Sequence, residues 1–492
     1  MKKNSGGNFE YGLTAYHQND YATALKEWQS LAMQGDGFAQ YNLGVMYEKG
    51  LGVNQDYRQA AAWFRQAAEY GFDEILAAYN RQDYARAATE WGLLAEQGDA
   101  SAQYSLGVMC EKGQGVQRCA RQAAEWYGKA AEQGHASAQY NLGVLYDIGL
   151  GISQDFQLAA DWYRRAAEQG HAVAQYNLGV MYDKGQGVDQ DYQQAADWYR
   201  KAAEQGHVGA QYNLGLMYRT GEGVSANDQE SAYWYRRAAE QGDASAQNNL
   251  GVMYEKGQGV AKDEVQARDW YLKAAEQDHA KAQYNLGELY RNGQGVAQDA
   301  QQAADWYRKA AEQGNAYAQS NLGHMYRKGQ GVAQFFGQAA DWYRKAADHG
   351  NAQAQSNLGH MYRKGQGVAQ SFKQAADYYH KAAEQGNAQA QFNLGVMCEK
   401  GQGVAQDFQQ AAEWYRKAAE QGHAQAQFNL GELYRIGKGV AQDYIEAYKW
   451  FSIAGAGRGY DGLEASEIVG QLMTPNQIAE ARRRTSSMVN YH

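Results

Sequence analysis

The chain has 492 residues, 44% apolar and 21% charged, with 57 Gly, one Pro and a net charge of −9. That length exceeds one ordinary core and calls for several domains or a repeat array, and the apolar share is globular rather than disordered. The acidic balance argues against a nucleic-acid partner, no apolar run approaches the ~18–20 residues of a membrane span, and three Cys make no disulfide framework.

The start, MKKNSGGNFEYG, carries two Lys but no apolar stretch of the kind an export signal needs. Two expectations stay open: a cytoplasmic chain as written, or a periplasmic or secreted one whose signal has been removed. From Phe9, FEYGLTAYHQNDYATALKEWQSLA predicts a short helix pair over 9–35, with a tight turn at QN before DY. FDEILAAYNRQDYARAATEWGLLA predicts a second short pair over 72–98, with RQ at the turn. Full-length units are expected at 36–71 and 99–456.

The full units declare themselves by period. The Leu of an NLG or SLG triplet falls at Leu43 and Leu106, then every 36 residues from Leu142 to Leu430. Twenty residues after each Leu stands a Trp (Trp63, Trp126 and so on to Trp450), with Tyr378 the one substitute. Residues 171–206 show the local logic. HAVAQYNLGVMYDK is a helix with Ala174, Leu178, Met181 and Tyr182 on one face. GQGV at 185–188 ends it, because Gly takes the left-handed conformation a helix stop requires. Asp191 is placed to cap YQQAADWYRKAAEQ, whose Ala195, Trp198, Ala202 and Ala203 are expected to line the inner face. Neither helix buries its face alone, so units must stack, and the prediction is an all-α solenoid of about thirteen antiparallel helix pairs over 9–456.

Residues 457–492 read as capping helices. GLEASEIVGQLM is one. TPNQIAEARRR opens another, with Thr474 as N-cap, Pro475 first in the helix and Gln477 completing a capping box.

The pattern A-x-x-x-L-G-x-x-Y-x-x-G-x-G-V…D…A-x-x-W…A-A-x-x-G resembles the Sel-one-like repeat (SLR) family, relatives of the tetratricopeptide repeats. The resemblance covers roughly 9–456. It implies a right-handed superhelix whose concave face is lined by the first helix of each pair. It also implies an adaptor role in multiprotein assemblies, often tied in bacteria to host interaction or signalling. One cysteine-rich branch of the family is associated with β-lactam binding, so a β-lactam-binding or β-lactamase-like enzyme is an alternative. This chain lacks that branch's Cys pairs. A carbohydrate or small-ligand binder on an aromatic row is a further alternative.

On the lining helices, three columns face away from the core. The first is aromatic, with Tyr104, Tyr140, Tyr176, Tyr212 and Tyr284, and breaks at Ser320 and Ser356. The second runs through Val108, Val144 and Val180 to Glu288, His324 and His360. The third is acidic early (Glu111, Asp147, Asp183) and basic at Arg291, Arg327 and Arg363. This surface is the candidate site for a protein or peptide partner. A structural reading, in which the Tyr column packs between neighbouring first helices, stands beside it. The stretch QSNLGHMYRKGQGV occurs at 319–332 and again at 355–368. Copying accounts for the match, and the duplication doubles a basic, His-bearing patch.

No catalytic constellation rises above the repeat. His135, His171, His207, His279 and His423 each follow the turn that ends a unit, one per unit, in a slot held elsewhere by Asp or Asn. They are expected to cap helices rather than bind metal. The GxG loops lack the context of a phosphate loop, and no cofactor is expected. Cys110 and Cys119 face each other across one loop; in an oxidising compartment they are expected to pair, and in a reducing one to stay free.

Overall fold

The computed structural model describes residues 9–68, 72–456 and 462–489. Residues 1–8, the last residues of the unit predicted at 36–71, and the start of the predicted capping segment lie outside the described residues. Every element found among the described residues is a helix. From Phe9–His17 to Tyr444–Ala456 the helices alternate as thirteen antiparallel pairs, followed by Gly462–Gly470 and Pro475–Val489. The chain is an α-solenoid, and it divides into two compact parts, Met1–Lys262 and Asp263–His492. Within each part, successive helices pack on the one before and the one after.

The pair Ala172–Lys184 and Tyr192–Glu204 shows why this sequence folds so. His171 and Asp191 are the N-caps, and Gly185 closes the first helix at φ 66° with its N–H donating to the Met181 carbonyl. Gly179 has no side chain because none fits. A Cβ there would lie 2.7 Å from the Tyr199 ring, which is fully buried. Gly187 is confined further: at φ +69° its Cβ would stand 2.0 Å from the Phe156 carbonyl oxygen of the preceding unit. Each GxG loop therefore lies against the backbone of the unit before it.

Ala195, Trp198, Ala202 and Ala203 are buried as expected, and a neighbouring ring lies deeper still. The fully buried ring of the second helix is the Tyr after each Trp, including Tyr163, Tyr199, Tyr307 and Tyr415. Several Trp of the full units take a cation over the ring, as with Lys201 Nζ 3.6 Å from the Trp198 centroid, whereas Trp28 and Trp91 of the short pairs are fully buried. An indole is too wide for the gap beside Gly179, whereas a phenol fits it and reaches through.

Units are also tied by a ladder that the repeat pattern did not announce. The buried Gln of each first helix donates to a carbonyl of the preceding helix, as Gln175 Nε2 does to Ala167 at 2.9 Å. Its Oε1 accepts from the Gln that ends its own unit, Gln205 Nε2 at 2.7 Å. The same rungs join Gln169 to Gln139, Gln241 to Gln211 and Gln421 to Gln391, and His349 takes the outer place on Gln319 at 3.1 Å.

The short pairs turn at Asn19 and Gln82, both at positive φ, where QN and RQ were expected to turn. At the other end, Thr474 N–H donates to Gln477 Oε1 at 2.9 Å and Gln477 N–H to Thr474 Oγ1 at 3.4 Å, the reciprocal capping box. Arg484 ties this helix back by donating to Glu446 at 2.8 Å, and Ala481 and Val469 are buried with Phe451.

Candidate functional site

The predicted columns lie on the first helices, and the aromatic one is largely an inter-unit joint. Tyr104, Tyr140 and Tyr176 stack on His135, His171 and His207 of the following unit, with centroids 4.7, 4.7 and 4.4 Å apart. Phe392 stacks on His423 in the same way, at 4.6 Å. Each of these His residues accepts a backbone N–H at Nδ1, as His171 does from Ala174 at 3.1 Å. Burial pushes their pKa down, to about 4 for His135, 3 for His171 and 4 for His207. Tyr140, Tyr176, Tyr212 and Tyr284 are half-buried. Tyr212 and Tyr284 precede Asp243 and Asn315 rather than His.

Tyr104 is not open surface. It is 7% exposed, and the cluster that holds it takes Phe9 of the first helix on its flank. Phe9 and Leu13 share a small hollow, about 110 Å³, with Phe38, Tyr104 and Val108. Tyr11 and Thr14 share another, about 310 Å³, with Glu111, Tyr140 and His171. In the first part of the chain the helix Phe9–His17 thus sits over the predicted binding face. The signal was present in Phe9, Leu13 and Tyr16 at helical spacing, but nothing in the sequence says where that stripe docks.

The third column is a set of hydrogen-bond acceptors. Where a carboxylate stands there, the buried Tyr of the second helix donates its hydroxyl to it: Tyr127 to Glu111 at 2.7 Å, Tyr163 to Asp147 at 3.3 Å, Tyr199 to Asp183 at 3.3 Å, Tyr415 to Glu399 at 2.6 Å; Tyr235 faces Arg219 instead and makes no hydrogen bond of good geometry. Tyr307 donates instead to Glu288 of the second column, which also pairs with Arg291. Burial and the facing carboxylate raise the pKa of Tyr163, Tyr199, Tyr307 and Tyr415.

At the duplicated stretch the acceptor is missing. Arg327 and Arg363 replace the carboxylate, and the hydroxyls of Tyr343 and Tyr379, both fully buried, make no hydrogen bond of good geometry. Burial raises both hydroxyls and the facing arginines pull them back, leaving Tyr379 at about 12. The Nε atoms of Arg327 and Arg363 are buried without a partner, and among the described residues neither guanidinium has a carboxylate within ion-pair distance. Arg327 Nη2 stands 3.4 Å from His324 Nδ1. Burial, then the neighbouring arginines, hold His324 and His360 below the usual imidazole pKa. Ser320 and Ser356, standing where other units carry an aromatic ring, leave two open hollows of about 490 and 660 Å³. Arg327 and Asn357 line both.

Cys110 and Cys119, expected to pair in an oxidising compartment and to stay free in a reducing one, are both free thiols in this structure. Cys110 packs into the core, where burial raises its pKa, and Cys119 holds an N-cap without a side-chain hydrogen bond. Among the described residues no group of three or more His, Cys, Asp or Glu is arranged to hold a metal ion. No helix among them is long and apolar enough to cross a membrane.

Comparison with known proteins matches this geometry. The Sel1 repeat family matches at residues 37–72 and in ten consecutive segments from 100–135 to 424–457. A protective antigen present in uropathogenic Escherichia coli strains, with an SLR fold, is 40% identical over 95% of this chain and 94% of its own, at a TM-score of 0.75. A Sel1 repeat protein from Oxalobacter formigenes is 35% identical over 63% of this chain and 89% of its own, at a TM-score of 0.52. An ERAD-associated E3 ubiquitin-protein ligase component, HRD3B, from Arabidopsis thaliana is 29% identical over 110 residues, which are 22% of this chain and 18% of that protein.

Proposed function

The chain belongs to the Sel1-repeat family, whose members serve as protein-interaction adaptors, and from that premise we propose that it is a scaffold holding a partner protein on the face of its first helices. On this reading the chain works by binding rather than by catalysis. The observation that carries the reading is internal to the chain. Residues turned to the core, such as Leu178, Gly179 and Tyr199, recur unit after unit, whereas those turned to the groove change in size and charge. A surface that varies on a constant frame is what selective recognition needs. Similarity to a protective antigen over nearly the whole chain favours a bacterial partner system concerned with host interaction or signalling.

The test uses the intact chain as bait in lysate and surface fractions of its own organism. Val396→Arg on the groove face is expected to abolish capture of the partner, and Lys201→Glu on the second-helix face to leave it intact. The reverse pattern would move the binding surface to the outer helices and end this proposal.

A further inference from the structure

Resting on the groove reading, we infer that the duplicated Ser–His–Arg patch is a site for an acidic peptide segment, whose carboxylates pair with Arg327 and Arg363. The ordinary unit places an acceptor opposite a phenol donor, as in Tyr415 to Glu399. With Arg in that column no carboxylate stands opposite the phenol, and the arginine Nε–H and the tyrosine hydroxyl both lack a hydrogen bond of good geometry. Both guanidinium groups line the hollows without a carboxylate partner, so a carboxylate entering there gains a charge-assisted hydrogen bond from each.

The surroundings select the class of anion. Adjacent units repeat at about 10 Å, the spacing of packed helices, so the two arginines present two anion positions in tandem. An extended peptide rises about 3.3 Å per residue, which puts acidic residues three apart at that same spacing. The two hollows meet along Arg327 and Asn357, forming one elongated trough. Glu288 bounds the basic run on one side and Glu399 lines its other end, so a long polyanion meets repulsion after two charges. Asn357 and Asn393 line the trough with paired donors and acceptors of the kind a peptide main chain needs. Arg291 and Arg435 differ from this pair: each is already matched by Glu288 or Glu432 on its own helix.

The experiment is a fluorescence-anisotropy titration of the full chain with an unstructured peptide carrying two Asp three residues apart. Its controls are the same peptide with Asn, inorganic phosphate and a sulfated oligosaccharide. Wild type is compared with the double variant Arg327→Glu/Arg363→Glu, which restores the ordinary Tyr-to-carboxylate hydrogen bond. Binding by the Asp peptide is expected to weaken about 100-fold in the double variant, about tenfold for each charge-assisted hydrogen bond removed. Its melting temperature is expected to equal or exceed wild type, which separates impaired binding from impaired folding. Equal binding by the Asn peptide, equal binding to the double variant, or tighter binding of phosphate or the sulfated sugar overturns the inference. None of these outcomes bears on partner capture, which the Val396→Arg bait decides by itself.

Discussion

Tyr176 stacks on His207 with ring centroids 4.4 Å apart and planes inclined by 24°. The tyrosine belongs to one unit and the histidine to the next, so the stack is a joint between units. The aromatic column therefore carries load in the fold beside whatever it offers the groove.

Tyr140→Ala and Tyr176→Ala should each destabilise the chain by about 2 kcal/mol, through poorer packing and removal of the stacked ring. Tyr212→Ala should cost less, because the next N-cap is Asp243 and offers no ring. Urea denaturation of the three variants checks this. Three equal losses would mean the stacking contributes nothing.

His135, His171 and His207 accept backbone N–H groups at Nδ1 and have pKa values pushed down to about 4, 3 and 4 by burial. The unfolded chain, with His near 6.5, takes up protons first. Their contribution to stability is thus complete above pH ~6.5 and is lost as pH falls from there toward the folded values. Asn fills this slot at Asn315, Asn351 and Asn387. Replacing the three His by Asn should flatten the stability profile between about pH 6.5 and 5, above the range where carboxylates dominate. Denaturation midpoints across that range give the slope, and an unchanged slope would reject the assignment.

Gln211 is fully buried, donates to the Ala203 carbonyl at 3.1 Å and accepts from Gln241 at 2.7 Å. Gln211→Ala should cost about 1–3 kcal/mol, because it strands a buried carbonyl as well as a partner amide. Adding Gln241→Ala should cost less than the sum of the two single changes. A double-mutant cycle measures the coupling, and strict additivity would deny that the two side chains act as one rung.

Gly187 and Gly242 both sit at positive φ, yet a Cβ on Gly242 meets nothing within 4 Å. Gly242→Ala should cost about 1 kcal/mol of backbone strain. Gly187→Ala adds a collision with the Phe156 carbonyl and should cost about 3 kcal/mol. Hydrogen exchange in the two loops compares them directly. Equal protection would mean the loop does not bear on its neighbour.

The array was legible because its rule is one-dimensional. Leu178, Gly179 and the cap at Asp191 recur at fixed spacing, and each has one local physical reason to be there. Long-range placement left no such trace. The docking of Phe9 and Leu13 over Tyr104 depends on where the first pair lies in space, which no local pattern encodes. The Gln ladder was visible as the letters AQ and EQG, but polar residues at regular spacing read equally well as a solvated face. That Tyr199 lies deeper than Trp198 left no mark in the sequence for a related reason: only the gap beside Gly179 sets it there. At the duplicated stretch the basic charge could be read from the letters alone, whereas the missing acceptor opposite Tyr343 and Tyr379 emerged only with the partners in place.

The glutamine ladder has a mechanical meaning. The bond that crosses between units is the one from each buried Gln to a carbonyl of the unit before, as from Gln175 to Ala167, so within each compact part tension along the stack is borne by these bonds in series. Such an arrangement yields one rung at a time, each event freeing one 36-residue repeat, on the order of 120 Å of extended chain. Stretched, it would lengthen in even increments and recover by re-stacking.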